Sequence, residues 1–171
     1  SVGHYITQMA VQDGREVIGT ASQAKAEIVL SAGAAACIDY QKEDVGERLL
    51  ELTEDRGGDA IIDMDFSSTL RLIPSQALKA KGSIYCYGSN DMGELGVSFR
   101  DLLFKSISLR FFLVYELTVE ERLAAIARLQ KFIRSGTAVT RISHVLPFDE
   151  IVRAHQLVET GQATGNVVLE L

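Results

Sequence analysis

Short apolar runs that fit a strand alternate along this chain with stretches of helical periodicity, and almost nothing else intervenes. Residues 16–20, 36–40, 59–64, 83–87 and 106–115 read as strands, and the segments 2–13, 23–31, 44–53, 67–78 and 99–105 between them read as helices. Such alternation constrains the fold strongly. Successive parallel strands need a long crossover to return the chain to the same end of the sheet, and the crossover helices then cover the faces. The expected class is α/β, with a doubly wound parallel sheet.

Local signals set the boundaries. Val2, Tyr5, Ile6, Met9 and Ala10 recur at helical spacing before Gly14 stops the helix. Asp44 is placed to cap the third helix, and the run Ala60-Ile61-Ile62 is short enough for a strand buried on both faces. Gly82 punctuates the approach to residues 83–87, and Gly88-Ser89 forms the turn after them. Further on, Thr118 and Glu121 make a capping box for a helix running through Arg134, which Gly136 ends. Residues 141–146 read as a strand, Pro147-Phe148-Asp149 open a helix to about Glu159, and 166–171 are a final strand. The one soft boundary, 135–139, divides the chain into a domain over 1–136 and a C-terminal segment over 137–171.

Composition narrows the function classes. A chain of 171 residues with 47% hydrophobic content suits one well-buried core. A net charge of -6 with no basic stripe argues against a nucleic-acid partner. Cys37 and Cys86 lie in strand-like runs without metal-ligand spacing, so they read as reduced core thiols. No apolar run is long enough for a membrane span and no leader pattern opens the chain, which points to a cytoplasmic protein.

The first residues carry the chemistry. Ser1-Val2-Gly3-His4 reads as the last glycine of a nucleotide-binding turn opening a helix, with the preceding strand and earlier glycines expected ahead of it. In such a turn the backbone closely approaches a pyrophosphate, which faces the unpaired N–H groups of the helix start. Taken alone, Gly3 is equally an ordinary helix-start glycine.

Several segments carry a resemblance. They are the helix after Ser1-Val2-Gly3, the strand end Val17-Ile18-Gly19-Thr20-Ala21-Ser22 with Lys25 beyond, and Ala32-Gly33-Ala34 leading to Ile38-Asp39-Tyr40. Further carriers are Lys81-Gly82 ahead of Tyr87-Gly88-Ser89, Pro147-Phe148 ahead of Ala154-His155, and Ala163-Thr164-Gly165-Asn166-Val167-Val168-Leu169. In this order they resemble the medium-chain dehydrogenase/reductase superfamily and, within it, the NADPH-dependent quinone reductases of the zeta-crystallin-like branch. The resemblance covers essentially the whole chain. It implies a Rossmann-type sheet lacking its first strand here, a catalytic domain ahead of residue 1 to which 137–171 would return, and a homodimer through strand 106–115. It also implies NADP as cofactor and a small quinone or enone as substrate. With the first strand absent from its central place, residues 16–20 and 59–64 are expected to leave unpaired backbone edges.

The resemblance implies cofactor residues, and each has a plainer reading. Val2 and Gly3 would meet the pyrophosphate. A carboxylate at the end of the second strand would take a ribose hydroxyl and repel a 2′-phosphate; none follows Gly19-Thr20-Ala21. Ser22 and Lys25 then make a phosphate grip that favours NADP, although Lys25 is also what a solvated helix face looks like. Tyr40 matches the position beside the adenosine ribose phosphate, or is a strand-end tyrosine. Gly88 and Ser89 match a backbone contact to the cofactor, or a β-turn. Phe112, Leu113 and Val114 match the stretch that meets the nicotinamide carboxamide, or a hydrophobic edge at a dimer contact. Asn166 stands where relatives commonly have lysine.

No catalytic or metal residue is assigned. His4, His144 and His155 read as structural or surface residues. Asp63 and Asp65 bracket Met64 and would share a strand face, yet strand-end aspartates also cap the next helix. The family's zinc residues, where they occur, lie ahead of this chain. Hydride transfer from NADPH to a quinone or conjugated carbonyl is the expected activity of the intact protein, the chain alone being inactive. The alternatives are a zinc-dependent secondary alcohol dehydrogenase and a non-catalytic, NADPH-binding, crystallin-like structural protein.

Overall fold

Two helices begin where the capping residues place them. In the computed structural model, which describes residues 2–171, α1 spans Val2–Gln12, β1 Ile18–Ala21, α2 Ala26–Ser31, β2 Ala36–Asp39, α3 Val45–Leu52, β3 Gly58–Asp63 and α4 Phe66–Thr69. There follow β4 Leu78–Cys86, α5 Phe99–Lys105, β5 Ser108–Phe111, α6 Val119–Arg134, β6 Ile142–Pro147, α7 Ile151–Glu159 and β7 Asn166–Glu170. Ser1, the first residue of the expected nucleotide-binding turn, lies outside the described residues. Asp44 caps α3 by accepting the Glu47 N–H at 2.9 Å. At the start of α6 the Thr118 N–H donates to Glu121 Oε2 at 2.9 Å and the Glu121 N–H to Thr118 Oγ1 at 3.2 Å, completing the capping box.

The α/β class with parallel pairing is the one the alternation requires. Residues Ile38–Ile126 form one compact unit and residues up to Cys37 together with Ala127–Leu171 form another. The first holds a parallel sheet in the order β3-β4-β5, in which Ile84 of β4 pairs with Ile61 on one side and Leu109 on the other. These three lie in one row on the covered face. Ile84 joins Phe66, Ile73, Leu78 and Cys86 in the core, with Leu70, Leu95, Leu102 and Ile107 packed around it. Phe66 meets Phe111 edge to face at 4.9 Å. Among the described residues β3 has β4 as its only strand neighbour.

Two expectations are corrected. The run Ala60-Ile61-Ile62 is buried on one face only: Ile62 is 52% exposed and Tyr85 opposite it 38%, because successive residues face opposite ways and only the Ile61 side is covered. The helix expected over 67–78 stops after α4 and one 3-10 turn at Leu70–Leu72. Pro74 is the cause: its ring has no N–H to bond back to the Leu70 carbonyl and crowds it, so the helix does not continue although Ile73 itself keeps helical angles, and Leu78 already begins β4.

In the other unit β1 is hydrogen-bonded to β2, whose first residues it includes, and β6 runs parallel to β7. Ala32, Ala34, Phe132, Leu146 and Ala154 are buried there. Both cysteines are free; Cys86 is buried and its thiol donates to the Gly88 carbonyl at 3.1 Å. No described helix is long and apolar enough to cross a membrane.

Candidate functional site

A polar stripe on α1 organises the site. His4, Gln8 and Gln12 recur every fourth residue, and with Tyr5 they face the segment that follows α6. The Gln8 amide brackets Val139: its Nε2 donates to the Val139 carbonyl at 3.0 Å and its Oε1 accepts the Val139 N–H at 2.8 Å. His4 Nε2 donates to the same carbonyl at 3.2 Å, which leaves Nδ1 buried with no partner among the described residues. Tyr5 shares a hydrogen bond with Thr140 at 2.9 Å, and Gln12 Nε2 donates to Ser135 Oγ at 3.1 Å. Asp13, just past the helix, pairs with Arg128.

This clasp delivers Arg141 to a second fixed point. Arg141 Nε donates to the Thr164 carbonyl at 2.7 Å, and the Asn166 N–H donates to the Arg141 carbonyl at 2.8 Å. A Cβ on Gly165 would stand 2.6 Å from that carbonyl oxygen, so only glycine lets the two backbones approach.

Between the start of α1, the end of β1 and the 163–166 turn lies a pocket of about 260 Å³. Gly3, His4, Lys25, Arg141, Thr164 and Asn166 contribute to its lining, and no Asp or Glu does. Three of the residues singled out from sequence, Gly3, Lys25 and Asn166, therefore meet in one place although 22 and 141 positions separate Lys25 from Gly3 and Asn166 from Lys25. Close packing is not what keeps Gly3 small: a Cβ there would meet open space. Val2 opens α1, 54% exposed and outside the lining. Ser22 is also outside it; its carbonyl accepts the Lys25 N–H at 2.8 Å and so starts the turn that carries the lysine.

The remaining residues lie in the other unit. Tyr40, directly after β2, is 51% exposed. Gly88 and Ser89 follow β4, where a Cβ on Gly88 would be 2.8 Å from the Met64 carbonyl oxygen. The Ser89 hydroxyl is spent internally, accepting from the Ser67 N–H at 3.2 Å and donating to the Asp91 carbonyl at 2.6 Å. Phe112, Leu113 and Val114 continue past the end of β5; the Phe112 N–H donates to the Cys86 carbonyl at 3.1 Å and its ring lies 6.0 Å from that of Tyr87.

The two aspartates divide their work rather than pairing. Asp63 is buried at the end of β3, and burial raises its carboxyl above the ordinary value, only partly offset by the Asp65 N–H and the Thr69 hydroxyl. Asp65 is held well below the usual carboxylate range, first by the Asn90 N–H and then by the Ser67 and Ser68 hydroxyls. It ties α4 to the turn after β4. Arg141, His4 and Thr164 are polar members of the pocket that sequence reasoning missed, although the fourfold spacing of His4, Gln8 and Gln12 signals a helix face with a polar partner.

The family profile described as zinc-binding dehydrogenase matches residues 32–169. The chain belongs to this family. Quinone oxidoreductase 1 of Escherichia coli K12 is 28% identical over 174 residues, 98% of this chain and 53% of that protein. The crystal structure of E. coli quinone oxidoreductase complexed with NADPH superposes with a TM-score of 0.82 at 28% identity, covering 100% of this chain and 54% of that one. A mycobacterial quinone oxidoreductase gives a TM-score of 0.85 at 28% identity over 99% of this chain and 53% of its own. The chain thus spans about half the length of the relatives it matches. As for the metal in the family's description, no group of three His, Cys, Asp or Glu among the described residues is placed to hold one.

Proposed function

We propose that this chain is the NADP-binding part of an oxidoreductase that reduces a quinone or conjugated carbonyl. The carrying observation is the meeting of Gly3, Lys25 and Asn166 in one pocket whose lining holds no carboxylate. The NADPH bound by the E. coli relative supports the same reading. When bound, NADPH brings the hydride; the chain's residues have to hold and orient it. In this reading the N–H groups at Val2 and Gly3 face the pyrophosphate and Lys25, with Ser22, holds the 2′-phosphate. Tyr40 lies against the adenosine ribose, while Gly88, Ser89 and Phe112 to Val114 run along the nicotinamide. Residues 1–136 are the cofactor domain and 137–171 the segment that returns to a catalytic domain, in a cytoplasmic enzyme.

Cofactor choice tests the reading. Lys25→Gln is expected to weaken NADPH binding about tenfold, the scale of one charge-assisted hydrogen bond, and to leave NADH unchanged. Titration calorimetry on the chain reads both ligands; equal affinity of the native chain for the two would remove the role of Ser22 and Lys25. For the intact protein, turnover of naphthoquinone with NADPH separates a reductase from a non-catalytic crystallin-like protein, and metal analysis separates it from a zinc-dependent alcohol dehydrogenase.

A second copy is the partner that the edge strand suits. β5 ends the three-stranded sheet; its last residue Phe111 is 56% exposed and Tyr115 beyond it 81%, an apolar margin of the kind that pairs or aggregates. Sedimentation velocity is expected to show a dimer that Tyr115→Asp dissociates; a monomer at every concentration would rule the contact out.

A further inference from the structure

We propose that Arg141 holds the diphosphate of the nucleotide, providing a cation beside the 163–166 turn of the pocket. The inference rests on the nucleotide reading of that pocket. Its support is the geometry of one side chain. Arg141 is fastened twice to the turn, through its own carbonyl from the Asn166 N–H and through Nε to the Thr164 carbonyl. With Nε engaged, the two terminal amino groups of the guanidinium remain as a fork, the arrangement that matches two oxygens of a phosphate. A guanidinium already held by its neighbours loses less freedom on binding than a free one.

Charge points the same way. The chain carries a net charge of -6, yet this pocket is lined by Lys25 and Arg141 and by no acidic side chain. Among the described residues neither cation forms a salt bridge, so neither charge is neutralised by an acid of the chain. Two cations left without acids at one cavity make a local positive field that an anion neutralises. The start of α1, which contributes Gly3 and His4 to the same lining, adds N–H groups with no partner inside the helix. Lys25 and Arg141 stand on separate segments, β1's exit and β6's entrance, so two phosphate groups on one ligand fit better than a single one. A dinucleotide phosphate has both.

The test uses the chain with NADPH, NADH, ADP and inorganic pyrophosphate in titration calorimetry. Arg141→Gln is expected to lower affinity about tenfold for NADPH, NADH and ADP alike, since all three carry a diphosphate, whereas Lys25→Gln affects NADPH alone. Arg141→Gln could also loosen the turn, so the double variant Arg141→Gln/Asn166→Lys is decisive: it returns a cation to the same lining and should restore most of the loss. A misfolded pocket would not be rescued. If Arg141→Gln binds all three nucleotides as the native chain does, Arg141 is idle and the inference is overturned while the NADP reading stands. If the native chain binds pyrophosphate through Arg141 but no nucleotide, the NADP reading fails and Arg141 remains an anion-binding residue. Absence of binding by any of the four probes overturns both.

Discussion

Replacing Ile84 with alanine is expected to lower the unfolding free energy by about 2–5 kcal/mol, the range for emptying a fully buried aliphatic site. Ile84 is 1% exposed in the middle strand of the β3-β4-β5 sheet, against Phe66, Ile73 and Leu78, and its neighbours in the row are Ile61 and Leu109. Loss of its outer carbons leaves a void beneath the strand that is paired on both sides and least able to shift. Ile62→Ala is the matched control, the same residue type on the uncovered face, and should cost under about 1 kcal/mol. Urea unfolding followed by circular dichroism measures both. Equal losses would mean that the second face of this sheet is covered in solution and that its one-sided burial is wrong.

Gly165→Val is expected to lower dinucleotide affinity by at least about a hundredfold, or ~2.7 kcal/mol. Its Cβ would stand 2.6 Å from the Arg141 carbonyl oxygen and 3.0 Å from Arg141 Cγ. The carbonyl oxygen cannot yield without straining the Asn166 N–H bond to it, so the substitution displaces the Arg141 and Asn166 backbones together. Gly3→Ala is the contrast, because its new methyl meets open space and should leave the melting temperature unchanged. Full affinity in Gly165→Val, with native thermal stability, would show that the turn is free to move and that its contact with Arg141 does not shape the pocket.

The alternation of elements and the helix caps were legible because they depend on neighbours in sequence. Asp44 and the pair Thr118 and Glu121 bond within three residues, and both caps form. Pro74 was equally plain as a breaker, yet the apolar spacing of Leu70, Leu72 and Ile73 masks it when periodicity alone is weighed. What sequence could not supply was the environment of a face. Ala60-Ile61-Ile62 is apolar throughout, and nothing local says which side a helix will cover. The site divides along the same line. Gly3 and Lys25 follow from motif and spacing, while Arg141, ahead of a strand, looks like any solvated charge until the 163–166 turn is brought beside it.

The grip of Gln8 on Val139 separates two kinds of constraint. Both hydrogen bonds are made to main-chain atoms, so residue 139 can change its side chain and keep the attachment, whereas no smaller or charged residue at position 8 reproduces an amide's paired donor and acceptor. Sequence drift is therefore tolerated in the loop and penalised on the helix, the reverse of the usual expectation for a connecting segment beside a binding cavity.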